Sequence, residues 1–405
     1  MSSGFLRIVW SRRLLFALAT IFLLFVFFQS IPPGYLSPPP HELTQKPSKE
    51  DKTTPGPVKP TQEPPKSKPE PVKPTTEPKA PQQLSKTVVI ARLQKEDVNW
   101  LQDELPNIQA AVYTVDDPTA PLHPPKNKGH EAMVYLSYLI DHYDKLPDVM
   151  IFLHSHRWAW HNNDLLQSDA VNVINALSSP YVQRQGYVNV RCHWEPGCPE
   201  WMHPLDPSTR TDISKPEEQE LAKAFGELYP GRKVPETLAQ PCCAQFALSK
   251  SFAQNITLAR YVEIRNWLLN TPLPDEISGR IWEYLWQYLF TDEPVVCPRM
   301  DICYCDGFGI CFGGEKQFTE WFDLRAEQRK LQAALGALED GDNEEEQKSK
   351  SSDGSTQYIA DELRKKIQEI DDSLRIKLEE AKKRGEDPRN RAKDCGRPWK
   401  EGDGF

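Results

Sequence analysis

Residues 148–156 read Asp148-Val149-Met150-Ile151-Phe152-Leu153-His154-Ser155-His156. Five consecutive apolar residues running into polar ones are the pattern of a strand buried on both faces. Working outward, Thr87-Val88-Val89-Ile90-Ala91 is a short β-branched run, and Ala110-Ala111-Val112-Tyr113-Thr114 reads as a further strand ending at Asp116-Asp117. Between them the spacing predicts a helix over 96–105, stopped by Pro106. A second helix is predicted over 131–143, with Met133, Val134, Leu136, Tyr138, Leu139 and Ile140 as its buried side. Beyond the histidines, Asn163 is placed to cap a helix reaching Leu177. Residues 187–190 read as another strand, and helices follow near 217–229, 258–269 and 278–290. Strands alternating with helices predict an α/β fold, a mostly parallel Rossmann-like sheet with flanking helices, over residues 86–317.

In such sheets ligands bind beyond the carboxyl ends of the strands. That directs attention to Arg92, to Asp116 and Asp117, and to the segment HSHRWAWHNND that follows the third strand. Arg92 suits a phosphate, or is a plain surface arginine. Residues i and i+2 at a strand end share a side, so His154 and His156, joined by His161 or Asp164, offer three ligands to Zn²⁺ or Mn²⁺. A neutral histidine here, His156 in particular, is equally a candidate general base. Trp158 and Trp160 read either as a lid or as rings on which a sugar stacks. No other cofactor is legible.

The flanks differ from this core. Residues 14–31 are apolar apart from a few small polar side chains, and as a helix would rise about 27 Å, close to a bilayer core. Arg7, Arg12 and Arg13 precede this stretch and no basic residue follows until Lys46, so the positive-inside rule keeps residues 1–13 in the cytosol and puts the rest in the lumen. No small-residue cleavage site follows, which favours an uncleaved single-span anchor over a signal peptide. Its short length suits the ER or Golgi. Residues 32–85 are rich in Pro, Lys, Glu and Thr and predict a disordered, extended stalk. The chain has 405 residues, 37 of them Pro, and a net charge of −9 without a basic cluster, which argues against nucleic-acid binding.

A lumenal domain favours disulfides for Cys192, Cys198, Cys242, Cys243, Cys297, Cys303, Cys305 and Cys311, leaving Cys395 over. Cys192 and Cys198 bracket a Pro-Gly turn and could join each other or hold neighbouring strands. Cys242 and Cys243 are adjacent, so each is expected to find a distant partner. Asn255-Ile256-Thr257 is a glycosylation sequon. In the region 318–385 a helix is predicted over 318–338, an acidic disordered loop over 339–355, and then a helix striped by Ile359, Leu363, Ile367, Ile370, Leu374 and Leu378. That stripe suits a self-associating coiled coil or a helix folded onto its own domain. Residues 386–405 read as a disordered tail.

The stretches PKNKGHEAMVYLSYLIDHYDKLPDVMIFLHSHRWAWHN, RCHWEPGCPEWMHP, CCAQFALSK and SGRIWEYLWQYLF resemble the largely fungal family known as domain of unknown function 3431, over about Lys86 to Gly313. More distantly the pattern is similar to GT-A glycosyltransferases. That resemblance implies a nucleotide sugar as donor and a glycan as acceptor. It implies contacts to the donor from Asp116 or Asp117 and from Asn127, Lys128 and Glu131, an acceptor-side strand around Gln245, and Glu283 as the base. The histidines stand where those enzymes carry Asp-x-Asp, which puts a metal-bound diphosphate in question. A His-site metal-dependent hydrolase and a non-catalytic binding or scaffold protein are the competing readings.

Overall fold

The computed structural model describes residues 84–206, 208, 214–346, 354–401 and 403–405. The predicted cytosolic segment, the anchor and nearly all of the stalk lie outside these residues. Among the described residues no helix is long and apolar enough to cross a membrane.

The chain runs β1 (Lys86–Arg92), α1 (Trp100–Glu104), β2 (Gln109–Thr114), α2 (Glu131–Asp141), β3 (Val149–His154), α3 (Ala170–Ala176), α4 (Ser179–Gln185) and β4 (Tyr187–Asn189). It continues through α5 (Glu218–Leu228), β5 (Phe246–Ser249), α6 (Lys250–Asn255), α7 (Leu258–Asn270), α8 (Asp275–Glu283) and α9 (Trp286–Thr291). The five strands lie in the order β2-β1-β3-β5-β4. β1 pairs in parallel with β2 and β3, whereas β5 is antiparallel to both β3 and β4. The sheet is therefore mixed, which corrects the expectation of a mostly parallel one: only the β2-β1-β3 pairings are parallel. The cause is the long connection between β4 and β5. Val190 N–H donates to the Gln245 carbonyl, so this connection begins and ends beyond the carboxyl end of β4, and β5 can only run back.

Alternate residues of the strands feed two cores, as the pleat requires. Val89, Tyr113, Met150, Phe152, Phe246 and Leu248 pack under α2, α7, α8 and α9. Val88, Ile90, Ile151, Leu153, Val188 and Ala247 face α1, α3, α4 and part of the C-terminal helices.

Two predicted helices are cut short by side chains that bond elsewhere, and a third is interrupted. Over 96–99 there is no helix, because the Glu96 carboxylate folds back to accept from Leu93 N–H at 2.7 Å. Asn163 does not cap a helix. Its amide spans to the Val190 carbonyl and the Cys192 N–H, Gln167 and Ser168 adopt positive φ, and Asp169 caps the shortened α3 instead. The predicted helix over 278–290 breaks between Glu283 and Trp286.

The C-terminal region forms α10 (Glu315–Glu346), α11 (Gly354–Gly385) and α12 (Pro388–Asp394). The later part of the α11 stripe packs on its own domain, while Ile359 at its start is exposed: Ile370 and Leu374 are buried, Trp321 Nε1 donates to the Leu374 carbonyl, and Cys311 N–H donates to the Ala381 carbonyl. The predicted disordered tail is ordered where described. Buried Asp306 accepts from both Arg184 and Arg397, which ties it down.

All eight expected cysteines are paired, as Cys192–Cys303, Cys198–Cys297, Cys242–Cys243 and Cys305–Cys311. Cys395 is free. Of the options open for Cys192 and Cys198, mutual pairing is not the one found: each reaches across to the 297–303 segment. One expectation is corrected. Cys242 and Cys243 bond to each other, on a turn where Cys243 and Ala244 both take positive φ.

Candidate functional site

Where β1 and β3 end, the chain leaves the sheet on both sides and a cleft of about 440 Å³ opens, within the range of ligand sites. β1 delivers Arg92 and the turn carrying Glu96. β3 delivers His154, Ser155 and His156, and the entry to α2 delivers Asn127, His130 and Glu131. Asp275, at the start of α8, closes the far wall. The turn before α2 is fixed by that helix. Asp275 accepts from the Gly129 and His130 N–H groups and lies 3.5 Å from the His130 ring. Gly129 holds φ at +70°, and a side chain there would run into Leu268.

Of the residues predicted for the site, Arg92, Asn127, Glu131, His154 and His156 line the cleft together. Arg92 donates to Thr114 Oγ1 and to the Glu96 carbonyl and, among the described residues, to no carboxylate. Glu96, which sequence reasoning did not single out, accepts from Ser155 Oγ at 2.9 Å and meets the exposed His156 ring at 3.4 Å. Asp275 was also missed. Its Pro-Asp-Glu context signals only a helix start, and nothing local reveals that it serves a turn more than 140 residues earlier.

The other predicted residues are used differently. Asp116 and Asp117 hold loops: Asp116 accepts from Gln94 N–H, and Asp117 accepts from Thr119. Lys128 donates to the Thr271 carbonyl. Gln245 lies behind the cleft and accepts from His154 N–H at 3.1 Å while donating to Asn162. Trp158 and Trp160 stand in solvent beside it. Asn255 is exposed at the end of α6, while Thr257 Oγ1 of its sequon caps α7.

The electrostatics are set by burial. Desolvation, reinforced by the charges of Glu283 and Asp275, pushes the Glu131 carboxyl up to about 8. Glu283 is also raised by burial, against the pull of the Cys243 N–H that its carboxylate accepts. Burial and the neighbouring His161, His156 and His130 depress His154 to about 3. His161, whose ring lies 4.6 Å from that of His154, falls to about 4 for the same kind of reason. Both rings are thus neutral at physiological pH, and each has a buried Nε2 without a protein partner.

The three histidines do not make a three-ligand metal site. His154 turns toward His161, and His156 turns toward Glu96. Among the described residues, the groups close enough to share an ion are Cys242, Cys243 and Glu283, and Cys305, Cys311 and Asp394. In both groups the sulfurs are committed to disulfides and offer no thiolate.

The geometry defines a mixed α/β domain with a polar cleft at the carboxyl ends of its parallel strands. Residues 88–306 match the family model described as protein of unknown function, DUF3431, and the chain belongs to that family. No curated protein and no solved structure matches it.

Proposed function

We propose that this domain is a glycosyltransferase-like enzyme that takes a nucleotide sugar in the cleft and moves its sugar to a hydroxyl of a glycan. The observation that carries the proposal is Glu131, a largely enclosed carboxyl on the cleft wall whose burial raises its proton affinity toward the range of a general base. In this reading the ionised form of Glu131 takes the proton of the attacking hydroxyl as its oxygen bonds the anomeric carbon, and the anomeric C–O bond breaks to release the nucleoside diphosphate. Glu283, the base implied by resemblance, lies behind it and raises its proton affinity. Arg92, without a carboxylate partner among the described residues, faces the diphosphate. Neutral His154 offers its ring nitrogen to the sugar. No metal step is invoked, because the histidines do not converge on one point, and this also disfavours a metal-dependent hydrolase. Four disulfides support an oxidising compartment. That agrees with residues 14–31 as an anchor that leaves the domain in the ER or Golgi lumen.

The test is thermal denaturation of the full chain in detergent micelles against a panel of nucleotide sugars and nucleoside diphosphates. One donor is expected to stabilise the protein by several degrees. Glu131→Gln should keep that stabilisation and lose donor turnover. A panel without any shift, or a Glu131→Gln variant with full turnover, removes the proposal.

A further inference from the structure

Among the described tryptophans only Trp158 and Trp160 are exposed, each by 67%. Two exposed indoles two residues apart offer apolar surface of the kind that contact sites use. These two are also rigidly mounted. The Asn162 side chain donates to the Arg157 and Ser168 carbonyls at 2.9 and 3.1 Å. Ala170 N–H bonds the Arg157 carbonyl, Ala159 N–H bonds that of Ser168, and Trp158 pairs with Asp169 in a β-bridge. The Trp160 carbonyl accepts from buried Arg191 at 2.9 Å.

Each ring has a guanidinium over it, Arg157 at 4.3 Å from Trp158 and Arg191 at 5.3 Å from Trp160. One face of each ring is thereby occupied, and the exposure lies on the remainder. The shelf continues into the cleft, because the Trp160 ring lies 5.7 Å from His161, which lies 4.6 Å from His154.

We infer that Trp158 and Trp160 form a preorganised shelf on which the sugar rings of a neutral oligosaccharide lie while its end enters the cleft. Sugar rings present faces of polarised C–H groups that pack on electron-rich indole faces, and a ring already held in place loses little entropy on binding. Neither nearby arginine offers an open cation: Arg157 is paired with Asp169 and Glu104, and Arg191 is buried and held by the Trp160 and Glu195 carbonyls. A neutral saccharide therefore fits better than an acidic one. A lipid surface fits less well, because each ring carries an arginine on one face and Trp160 abuts His161 rather than apolar side chains. The acceptor role of this saccharide rests on the glycosyl-transfer reading, but the binding itself does not.

The full chain in micelles is titrated with mannopentaose, chitotetraose and cellotetraose, and indole fluorescence is read. At least one is expected to bind saturably, and Trp158→Ala and Trp160→Ala should each weaken it by about tenfold or more. Both variants should keep the wild-type melting temperature and the wild-type stabilisation by the donor. If none of the three binds, or if binding survives both substitutions, the shelf is refuted while a persisting donor shift leaves the enzyme reading standing. A loss of the donor shift with intact saccharide binding has the opposite meaning. A blue shift in phosphatidylcholine nanodiscs that vanishes in the double variant would reassign the rings to lipid and overturn the inference.

Discussion

Along β2-β1-β3 the parallel strands end in an open cleft lined by ionisable groups, and residues 84–191 contain no cysteine. Along β5-β4 the strands are short and antiparallel, and the connection between them carries Cys192, Cys198, Cys242 and Cys243, all in disulfides. The first half is held by continuous strand pairing and a helix-covered core. The second has a long connection, 190–245, with α5 as its one long helix, and covalent bonds replace the missing ladder. The candidate site lies at the seam. His154 ends the last strand of the first half, and Cys243 and Gln245 lead into β5 of the second.

The largest effect that would break this contrast comes from the two long-range disulfides. Cys198–Cys297 lies inside Cys192–Cys303, with sequence separations of 99 and 111. While one bond remains, the other closes only a small ring, so losing either should cost about 3 kcal/mol. Losing both frees the long loop as well and should cost roughly 7 kcal/mol, more than the sum of the single losses. Urea unfolding of Cys192→Ser/Cys303→Ser, Cys198→Ser/Cys297→Ser and the quadruple variant checks this. Additive losses would mean that the two bonds do not share a loop.

A smaller effect is expected at Asp164, which joins the tryptophan-bearing loop to α10 through paired bonds from Arg325 and a contact with His193. Burial alone would raise this carboxyl. The hydrogen bonds from His193 and Arg325 outweigh burial and hold it well below the usual carboxylate range. Asp164→Ala should cost about 2 kcal/mol, because Arg325 is left half-buried without its partner. A depressed folded pKa stabilises above the unfolded value near 3.9, and that contribution disappears as pH falls through the folded value. The gap between variant and wild type should therefore stay constant from neutral pH down to about 4 and close only in stronger acid. A gap that closes between pH 5 and 7 would show that the ionised Asp164 carboxylate is not what the contact depends on.

What the sequence disclosed follows the same division. The strands at 87–91, 110–114 and 149–153 were legible because buried β-branched runs have few other fates. So were five of the cleft residues, since the ends of parallel strands are where ligands gather. The antiparallel half was not legible. The direction of β5 depends on where a long connection returns, and the disulfide partners depend on tertiary approach rather than on spacing. Glu96 and Asp275 were missed for a related reason. Each reads locally as part of a helix start, and only the fold turns them toward Ser155, His156 and the Gly129-His130 turn. Asn163 shows the converse, a good capping residue whose amide is taken by Val190 and Cys192 from another segment.

Glu131 sharpens the comparison on the cleft side with a third, smaller effect. Its raised pKa means that the folded state binds a proton which the unfolded state has lost. Stability should therefore fall as pH rises from about 4.3 to about 8. Glu131→Gln removes that slope, so the variant's stability should change less than the wild type's between pH 5 and pH 9. Guanidinium unfolding at the two pH values measures it. Equal pH dependence in variant and wild type would mean that Glu131 is ionised throughout.

The smallest stability change is expected where a disulfide closes no loop. Cys242–Cys243 joins neighbours, so the chain-entropy argument that makes the long-range bonds valuable gives it almost nothing, and Cys242→Ala/Cys243→Ala should cost roughly 0.5 kcal/mol or less. Its effect is local to the seam. The Cys243 N–H donates to the Glu283 carboxylate, and the backbone of the same residue bonds the His154 ring. The vicinal bond thus holds one peptide unit between two groups of the site, at a positive φ that an open chain would readily leave. Amide hydrogen exchange reads this directly. In the double variant, protection should drop at residues 242–245 and remain unchanged in β1 and β3. Unchanged protection at Cys243 would show that packing alone fixes the turn. A stability loss as large as that from the long-range disulfides would dissolve the distinction between bonds that hold the fold and one that holds the site.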